Sequence, residues 1–336
     1  MYPRGTHAPA KGVRNTGGTR RILLTGATGQ IGSELVLELR KRFGGENVIA
    51  AVHKRPPSVE ISNSGPVVNV DLGSESALHD VVEDLGVSEI WHLAAVLSVV
   101  GENDPQQAWN VNMGSLHNVL EVSRKSDLER VFWPSSIAVF GPGSPRIETP
   151  QDTVMRPTSM YGVTKVAGEL LCNYYWNKYH LDVRSVRYPG IVSSETPPGG
   201  GVTDYSVEMF YEAILTGKYT CFVREDTILP LMYMPDCIDS AIELMEAPSS
   251  KVKRHDSYNV AGSSFSAGEL AEEIRKHVPD FEIEYKPDER QKIADTWPMS
   301  VDDRQARTDW GWSPNYDLRT MTEDMFKHLG KRLKRK

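Results

Sequence analysis

The sequence predicts an α/β protein, a doubly wound parallel sheet followed by a smaller C-terminal α/β lobe. Three observations carry this. From Arg21 onward, short β-branched or aliphatic runs alternate with longer stretches of helical periodicity, the order expected of successive βαβ units. The first run, RILLTG, leads directly into a glycine-spaced turn and then a helix. The 336 residues are 39% hydrophobic and 25% charged, which suits a globular chain with a full core and excludes disorder, collagen and coiled coil.

Taken in order, residues 1–20 stand apart from the rest. Arg4, Lys11, Arg14, Arg20 and Arg21 all precede the first acidic residue, Glu34, although the whole chain carries a net charge of −7. A basic, acid-poor start without an apolar stretch reads as an organelle transit segment, or as a plain starter segment, which would leave the protein cytoplasmic. RILLTG, NVIAAV, PVVNVD, EIWHLAA, RVFWPSS and DVRSVRYPG read as six buried strands, with helices over Gln30 to Arg42, Ser74 to Leu85, Pro105 to Arg124 and Tyr161 to Tyr179. The last two helices are apolar on more than one side, as helices packed against both their own sheet and a second subunit would be, so a homodimer through 105–124 and 161–179 is expected. Residues 21–190 therefore read as a Rossmann-type dinucleotide domain to which later segments return. Residues 191–330 read mainly as a substrate-binding lobe, with a helix from about Ser206, and KRLKRK over 331–336 as a basic tail.

The acidic balance argues against nucleic acid or an anionic membrane as partner and leaves a small molecule. The most apolar stretch, Ile90 to Val100, falls well short of the roughly 20 residues of a membrane span. Cys172, Cys221 and Cys237 form no C-x-x-C pair, so neither a disulfide framework nor a metal site is expected.

Gly26, Gly29 and Gly32 give G-x-x-G-x-x-G between a strand and a helix. Glycine is needed where backbone turns tightly and approaches a pyrophosphate, and the helix N-terminus supplies N–H donors and a positive dipole. Gly26, Thr28, Gly29, Gln30, Ile31 and Gly32 are the candidate contacts. The second strand lacks the acidic residue that usually holds the adenosine ribose: Val52 stands there, followed by His53, Lys54 and Arg55. That cluster would suit the 2′-phosphate of NADP, or is simply solvated. Asp71 and Leu72 are the candidate adenine contacts, with Asp71 alternatively capping the next helix in competition with Ser74.

Y-x-x-x-K occurs at Tyr161 to Lys165 and again at Tyr174 to Lys178. Tyr161 opens a helix at the ligand-facing edge of the sheet, whereas Tyr174 lies about 220° further round it and is expected to pack. A tyrosine serves as a base near neutral pH only beside a cation that stabilises its phenolate, and Lys165 at i+4 supplies one. Ser136, closing the fifth strand, can hydrogen-bond the reacting oxygen.

Together TGATGQIG, HLAA, Asn112, Ser136, and Tyr161 with Lys165 resemble the extended short-chain dehydrogenase/reductase family, over about Arg21 to Trp312. The resemblance implies that Tyr161 is the acid/base, that Ser136 positions the substrate hydroxyl, and that Lys165 lowers the tyrosine pKa and holds the nicotinamide ribose. Asn112 would hold a water of the proton relay; Leu93, Ala94 and Ala95 would lie along the cofactor, and Tyr188, Pro189 and Ile191 at its nicotinamide end. His92 reads more simply as a hydrogen-bonded core histidine. Longer strings, AAVLSVVGENDP, FWPSSIAVFGP, RYPGIVSSETPPGGGVTDY, LPLMYMPDCIDSAI and WPMSVDDRQARTDWGW, resemble the L-threonine 3-dehydrogenase branch of that family. That likeness implies oxidation of L-threonine with NAD rather than NADP, a homodimer, a mitochondrial site, and a functional link to 2-amino-3-ketobutyrate CoA ligase. It puts Ser98, Gly201 and Thr203 at the amino-acid end of the substrate, beside Ser136 and Tyr161. Trp297 would enclose the substrate, with the PPGGG loop as a lid.

Overall fold

The computed structural model describes residues 20–199 and 201–333. The expected transit segment, apart from Arg20, and the last three residues of the basic tail lie outside the described residues. Chain order begins β1 (Ile22–Thr25), α1 (Gln30–Phe43), β2 (Val48–Val52), α2 (Val59–Ser64), β3 (Val67–Asn69), α3 (Glu75–Asp84), β4 (Glu89–His92), α4 (Ser98–Asn103) and α5 (Pro105–Lys125). It continues through β5 (Arg130–Phe132), β6 (Ser135–Ser136), α6 (Met160–Tyr179), β7 (Val183–Arg184), β8 (Val186–Tyr188) and β9 (Gly190–Val192). The central sheet is parallel throughout, in the order β3-β2-β1-β4-β5-β7. Strand order reverses between β1 and β4, where Thr25 pairs with His92, so the turn after β1 and the loop after β4 open onto one crevice, the place where such sheets bind ligands.

Each long helix has a local cause. α1 buries Leu35, Val36 and Leu39 and ends in Arg40, Lys41 and Arg42, which complement its dipole. Arg40 is itself buried, and its guanidinium donates to the carbonyls of Val48, Ile61 and Pro66, tying α1 to β2, α2 and β3. Asp104 caps α5 and Ser159 caps α6 by accepting from Gln107 and Gly162 N–H at 2.9 and 3.1 Å. The two helices pack side by side, joined by Asn112 to Thr164 and by Tyr175 to Glu121.

Three expectations are corrected. β3 is not buried, because it is the edge strand; Val67 is 38% exposed. DVRSVRYPG is not one strand but three. β7 closes the central sheet, β8, beyond Ser185, pairs with β6, and β9, beyond Pro189, which has no N–H for a ladder, joins a third sheet. RVFWPSS is likewise two strands: β5 ends at Phe132 in the central sheet, and Ser136 lies in β6, paired with β8. Tyr174 packs as expected, edge-on to Tyr175 and Tyr179, with its ring half exposed.

Beyond β9 come α7 (Tyr205–Leu215), β10 (Lys218–Cys221), β11 (Ile228–Tyr233), α8 (Met234–Glu246), β12 (Tyr258–Asn259), β13 (Ser263–Ser266), α9 (Ala267–Arg275), β14 (Glu282–Tyr285), α10 (Glu289–Ala294), α11 (Arg304–Trp310) and α12 (Leu318–Leu333). α8 returns to the central sheet, packing on α1 through the Arg42–Asp239 ion pair at 2.8 Å. β11 sits between β9 and β13, β12 extends the β6-β8 ribbon, and β10 pairs with β14. One apolar core lies around β1, α1 and α8, a second around α3 and α5, and a third joins Ile137–Phe140 to α7, α9 and α12.

Candidate active site

The glycine turn is built for close approach. Gly26 has φ +73°, and a Cβ there would stand 2.7 Å from Ala94 N and 2.8 Å from the Leu93 carbonyl carbon. A Cβ on Gly32 would come within 2.2 Å of Gly26 O. The turn therefore lies directly on the loop after β4, and Gln30 reaches Ile191 O at 3.5 Å from the other side. No side chain caps α1 and its first turn holds no acidic residue, whereas Ser58, Ser74, Asp104 and Ser159 cap α2, α3, α5 and α6. An uncapped N-terminus behind a turn whose glycines have no room for a Cβ fits a dinucleotide pyrophosphate.

His92 is held between Thr25 Oγ1 and Ser115 Oγ at 2.8 and 3.1 Å, and burial pushes its pKa down to about 3. It is a neutral core histidine. Ser74, not Asp71, caps α3; the exposed Asp71 carboxylate accepts from Gly73 N–H, and Leu72 O accepts from Asn118. His53, Lys54 and Arg55 are exposed beyond β2.

Ser136, Tyr161 and Lys165 come together where β6 meets the start of α6. Tyr161 lies beside Ser136, whose hydroxyl acts to lower the phenol pKa and accepts from Ala138 N–H at 3.2 Å, while burial, the larger effect, raises the phenol to about 12. The Lys165 ammonium lies 5.4 Å from the Tyr161 ring centroid and 4.5 Å from that of Trp133, and donates to Pro134 O at 2.5 Å. Burial lowers its pKa to about 7. In this arrangement Lys165 serves the Pro134 carbonyl, and desolvation, which penalises any charged form, leaves the phenol raised rather than lowered.

Asn112 is buried with its amide committed. Its Oδ1 accepts from Val96 N–H at 2.7 Å, and its Nδ2 donates to Val96 O and Thr164 Oγ1, both at 3.1 Å. The side chain thus pins the loop after β4 to α6. Ser98 is the buried first residue of α4, whose Glu102 accepts from Met160 N–H at 2.7 Å and so holds the start of α6.

On the lobe side, Thr203 packs on Gly190, where a Cβ would meet Thr203 Cγ2 at 2.5 Å. Gly201 N–H donates to the buried Asp204 carboxylate at 2.8 Å. Trp297 is buried in the apolar cluster that holds Ile137, Val139 and Val202, with Tyr161 against it, and its carbonyl accepts from Arg146 at 3.0 Å. The buried Tyr188 donates its hydroxyl into α8, to Cys237 O at 2.8 Å.

Two groups escaped the sequence reading. Glu34 on α1 accepts from Ser193 and Thr196 at 2.5 and 2.9 Å, fastening the loop after β9 to α1. Glu169 pairs with Arg187 at 2.8 Å, both essentially inaccessible. Only the i+4 spacing of Glu169 from Lys165 hinted at a shared face.

The family described as the NAD dependent epimerase/dehydratase family matches residues 22–261. A relative from Staphylococcus haemolyticus, described as an uncharacterized epimerase/dehydratase, is 46% identical over 310 residues, 92% of this chain and 97% of its own. The holo form of a GalE-like L-threonine dehydrogenase from Cupriavidus necator superposes with a TM-score of 0.89 at 51% identity, covering 93% of this chain and 99% of its own. A monomeric L-threonine 3-dehydrogenase from a metagenome, in apo form, gives 0.89 at 45% identity over 93% and 99%. The curated relatives at 42% to 46% identity come from Staphylococcus species. This overturns the mitochondrial expectation: the basic N-terminal composition suggested the address, yet these relatives belong to bacterial cells, which have no such organelle.

Proposed function

The chain belongs to the NAD dependent epimerase/dehydratase family, and from that premise we propose that it oxidises the β-hydroxyl of L-threonine to 2-amino-3-oxobutanoate, with NAD as acceptor, in threonine catabolism. The observation that carries the reading is the convergence of Ser136, Tyr161 and Lys165 beside the glycine-spaced turn and uncapped helix start at the strand-order reversal. The L-threonine dehydrogenase neighbours supply the substrate.

Gly26, Thr28, Gly29, Gln30, Ile31 and Gly32 would hold the pyrophosphate, Asp71 and Leu72 the adenosine end, and Leu93 to Ala95 with Pro189 and Ile191 the length of the cofactor. When bound, NAD supplies the hydride acceptor and a positive nicotinamide ring. Ser136 holds the threonine β-oxygen by hydrogen bond while Tyr161 Oη takes its proton. For the phenol to do so near neutral pH, its raised pKa must fall, and two positive groups act in that direction: the nicotinamide ring and the Lys165 ammonium one helical turn along α6. Asn112 keeps the loop after β4 in place. Ser98, Gly201 and Thr203 would bind the zwitterion, and Trp297 would help keep water out.

Residues 21–190 would thus carry the dinucleotide and 191–330 mainly the amino acid. We further propose a homodimer through α5 and α6, which leave Trp109, Val111, Leu170 and Tyr174 at 39% to 62% exposure. Gel filtration with light scattering checks it, and a monomer at working concentration refutes it.

The deciding experiment follows absorbance at 340 nm after mixing protein and L-threonine with NAD or NADP. A rise with NAD, abolished by Tyr161→Phe with NAD affinity unchanged, is expected. A rise with NADP alone reassigns His53, Lys54 and Arg55 to a 2′-phosphate. Silence with both sinks the substrate assignment and favours an epimerase or dehydratase that retains its cofactor.

A further inference from the structure

Resting on that reading of Ser136, Tyr161 and Lys165, we infer that Glu169 is a positioning residue that sets, through Ser135, where the Ser136 hydroxyl stands against Tyr161. Residues 161, 165 and 169 follow at four-residue steps along one face of α6. Each faces a different residue of one short stretch of chain: Tyr161 stands beside Ser136, Lys165 donates to Pro134 O at 2.5 Å, and Glu169 Oε1 accepts from Ser135 Oγ at 2.6 Å. β6 is only two residues long and is paired along β8 alone in this ladder, so backbone bonding by itself fixes it weakly.

Glu169 is in turn immobilised from the other side. Arg187, the β8 residue registered opposite Ser135, donates Nε and Nη2 to the two carboxylate oxygens at 2.9 and 2.8 Å. Its Nη1 donates to Gln151 O at 2.8 Å and Asn259 Oδ1 at 3.1 Å, Nη2 also reaches Met155 Sδ at 3.5 Å, and the guanidinium faces the Phe140 ring. A pair buried this completely gains little net stability, because desolvation offsets attraction. What such a pair does provide is a carboxylate that cannot rotate away. Glu169 touches no reacting atom; it acts by holding Ser135, and through it the adjacent hydroxyl that steadies the β-oxygen.

The test is a double-mutant cycle of Ser135→Ala and Glu169→Asp, the latter keeping the charge for Arg187 while withdrawing the carboxylate from Ser135. Each single change is expected to lower kcat about tenfold, with threonine KM and NAD Kd held within about twofold. Because both cut one contact, the double variant should lose no more than either single one. Losses that multiply, or Ser135→Ala with wild-type kcat, overturn the inference. Should Glu169→Asp fail to fold, Ser135→Ala decides alone, since it leaves the Glu169–Arg187 pair intact. If the wild-type chain does not oxidise threonine, the reaction reading fails by itself. A crystal structure of Ser135→Ala still decides the positioning: a Ser136 hydroxyl displaced from Tyr161 supports it, and an unchanged Ser136 hydroxyl position overturns it.

Discussion

Replacing Lys165 by methionine should make the protein more stable in mild acid while removing its chemistry. The Lys165 ammonium is held in a nearly inaccessible site where its pKa falls from 10.5 to about 7, so keeping it charged there costs roughly 5 kcal/mol relative to the unfolded chain. Because the folded value lies below the unfolded one, the penalty is complete below about pH 7 and shrinks as pH rises toward 10.5. Methionine has similar length and no charge, and gives up the hydrogen bond to Pro134 O and the contacts over Trp133 and Tyr161, together worth about 2 to 3 kcal/mol. Lys165→Met should therefore gain about 2 kcal/mol near pH 6 and lose about 1 kcal/mol near pH 9.5. Urea unfolding of both proteins at the two pH values checks this. An equal destabilisation at both would show that the ammonium is not paying a burial cost, and the reasoning from its surroundings would fail.

Two further outcomes follow from the same kind of accounting. Gly26→Ala places a Cβ 2.7 Å from Ala94 N at φ +73°, so it should destabilise by about 2 to 4 kcal/mol and abolish NAD binding, whereas Gly29→Ala, at φ −83° with Gly26 O at 3.2 Å, should unfold near the wild-type midpoint; thermal melts and NAD titration separate them. Burial raises the Glu34 carboxyl above its usual range, so its charge is disfavoured at neutral pH and the penalty vanishes as pH falls below both the folded and unfolded values. Glu34→Gln can keep both bonds, since Ser193 and Thr196 both donate to one oxygen, and should raise the urea midpoint at pH 7.5 but not at pH 4.

What was legible in the sequence was what depends on near neighbours. β1, the glycine turn and α1 follow from a dozen consecutive residues, and Ser136, Tyr161 and Lys165 announce themselves by residue type at a strand end and a helix start. α2 was not legible, because Ile61 is its one buried residue and Val59 is 76% exposed, so no apolar stripe marks it. The division of DVRSVRYPG among three sheets depends on partners from β5, β6 and β11, up to about fifty residues away, which no periodicity inside the run could reveal. The same holds for Ser135 with Glu169, 34 residues apart, and for Glu34 with Ser193, 159 apart. Polar pairs of that separation leave no local trace, since each partner alone is an ordinary serine or glutamate.

α6 shows why the apolar character of that helix on more than one side was informative and yet ambiguous. One face must come close enough to β6 for Tyr161 and Lys165 to reach Ser136 and Pro134. Gly162 makes that approach possible, since a Cβ there would stand 2.3 Å from Ala138 O. A second face packs on α5, through Thr164 to Asn112 and Tyr175 to Glu121. The third leaves Val163, Leu170 and Tyr174 in water at 40% to 62% exposure. A helix serving only the sheet would carry polar residues on that third face, as α1 does with Glu38, Lys41 and Arg42. Retaining apolar side chains there costs solubility and contributes nothing to the catalytic face, so their presence argues that the helix bearing Tyr161 and Lys165 is also covered from outside. A subunit packed there would hold α6 against β6, and dimerisation and turnover should then fall together when Leu170 is replaced by a charged residue.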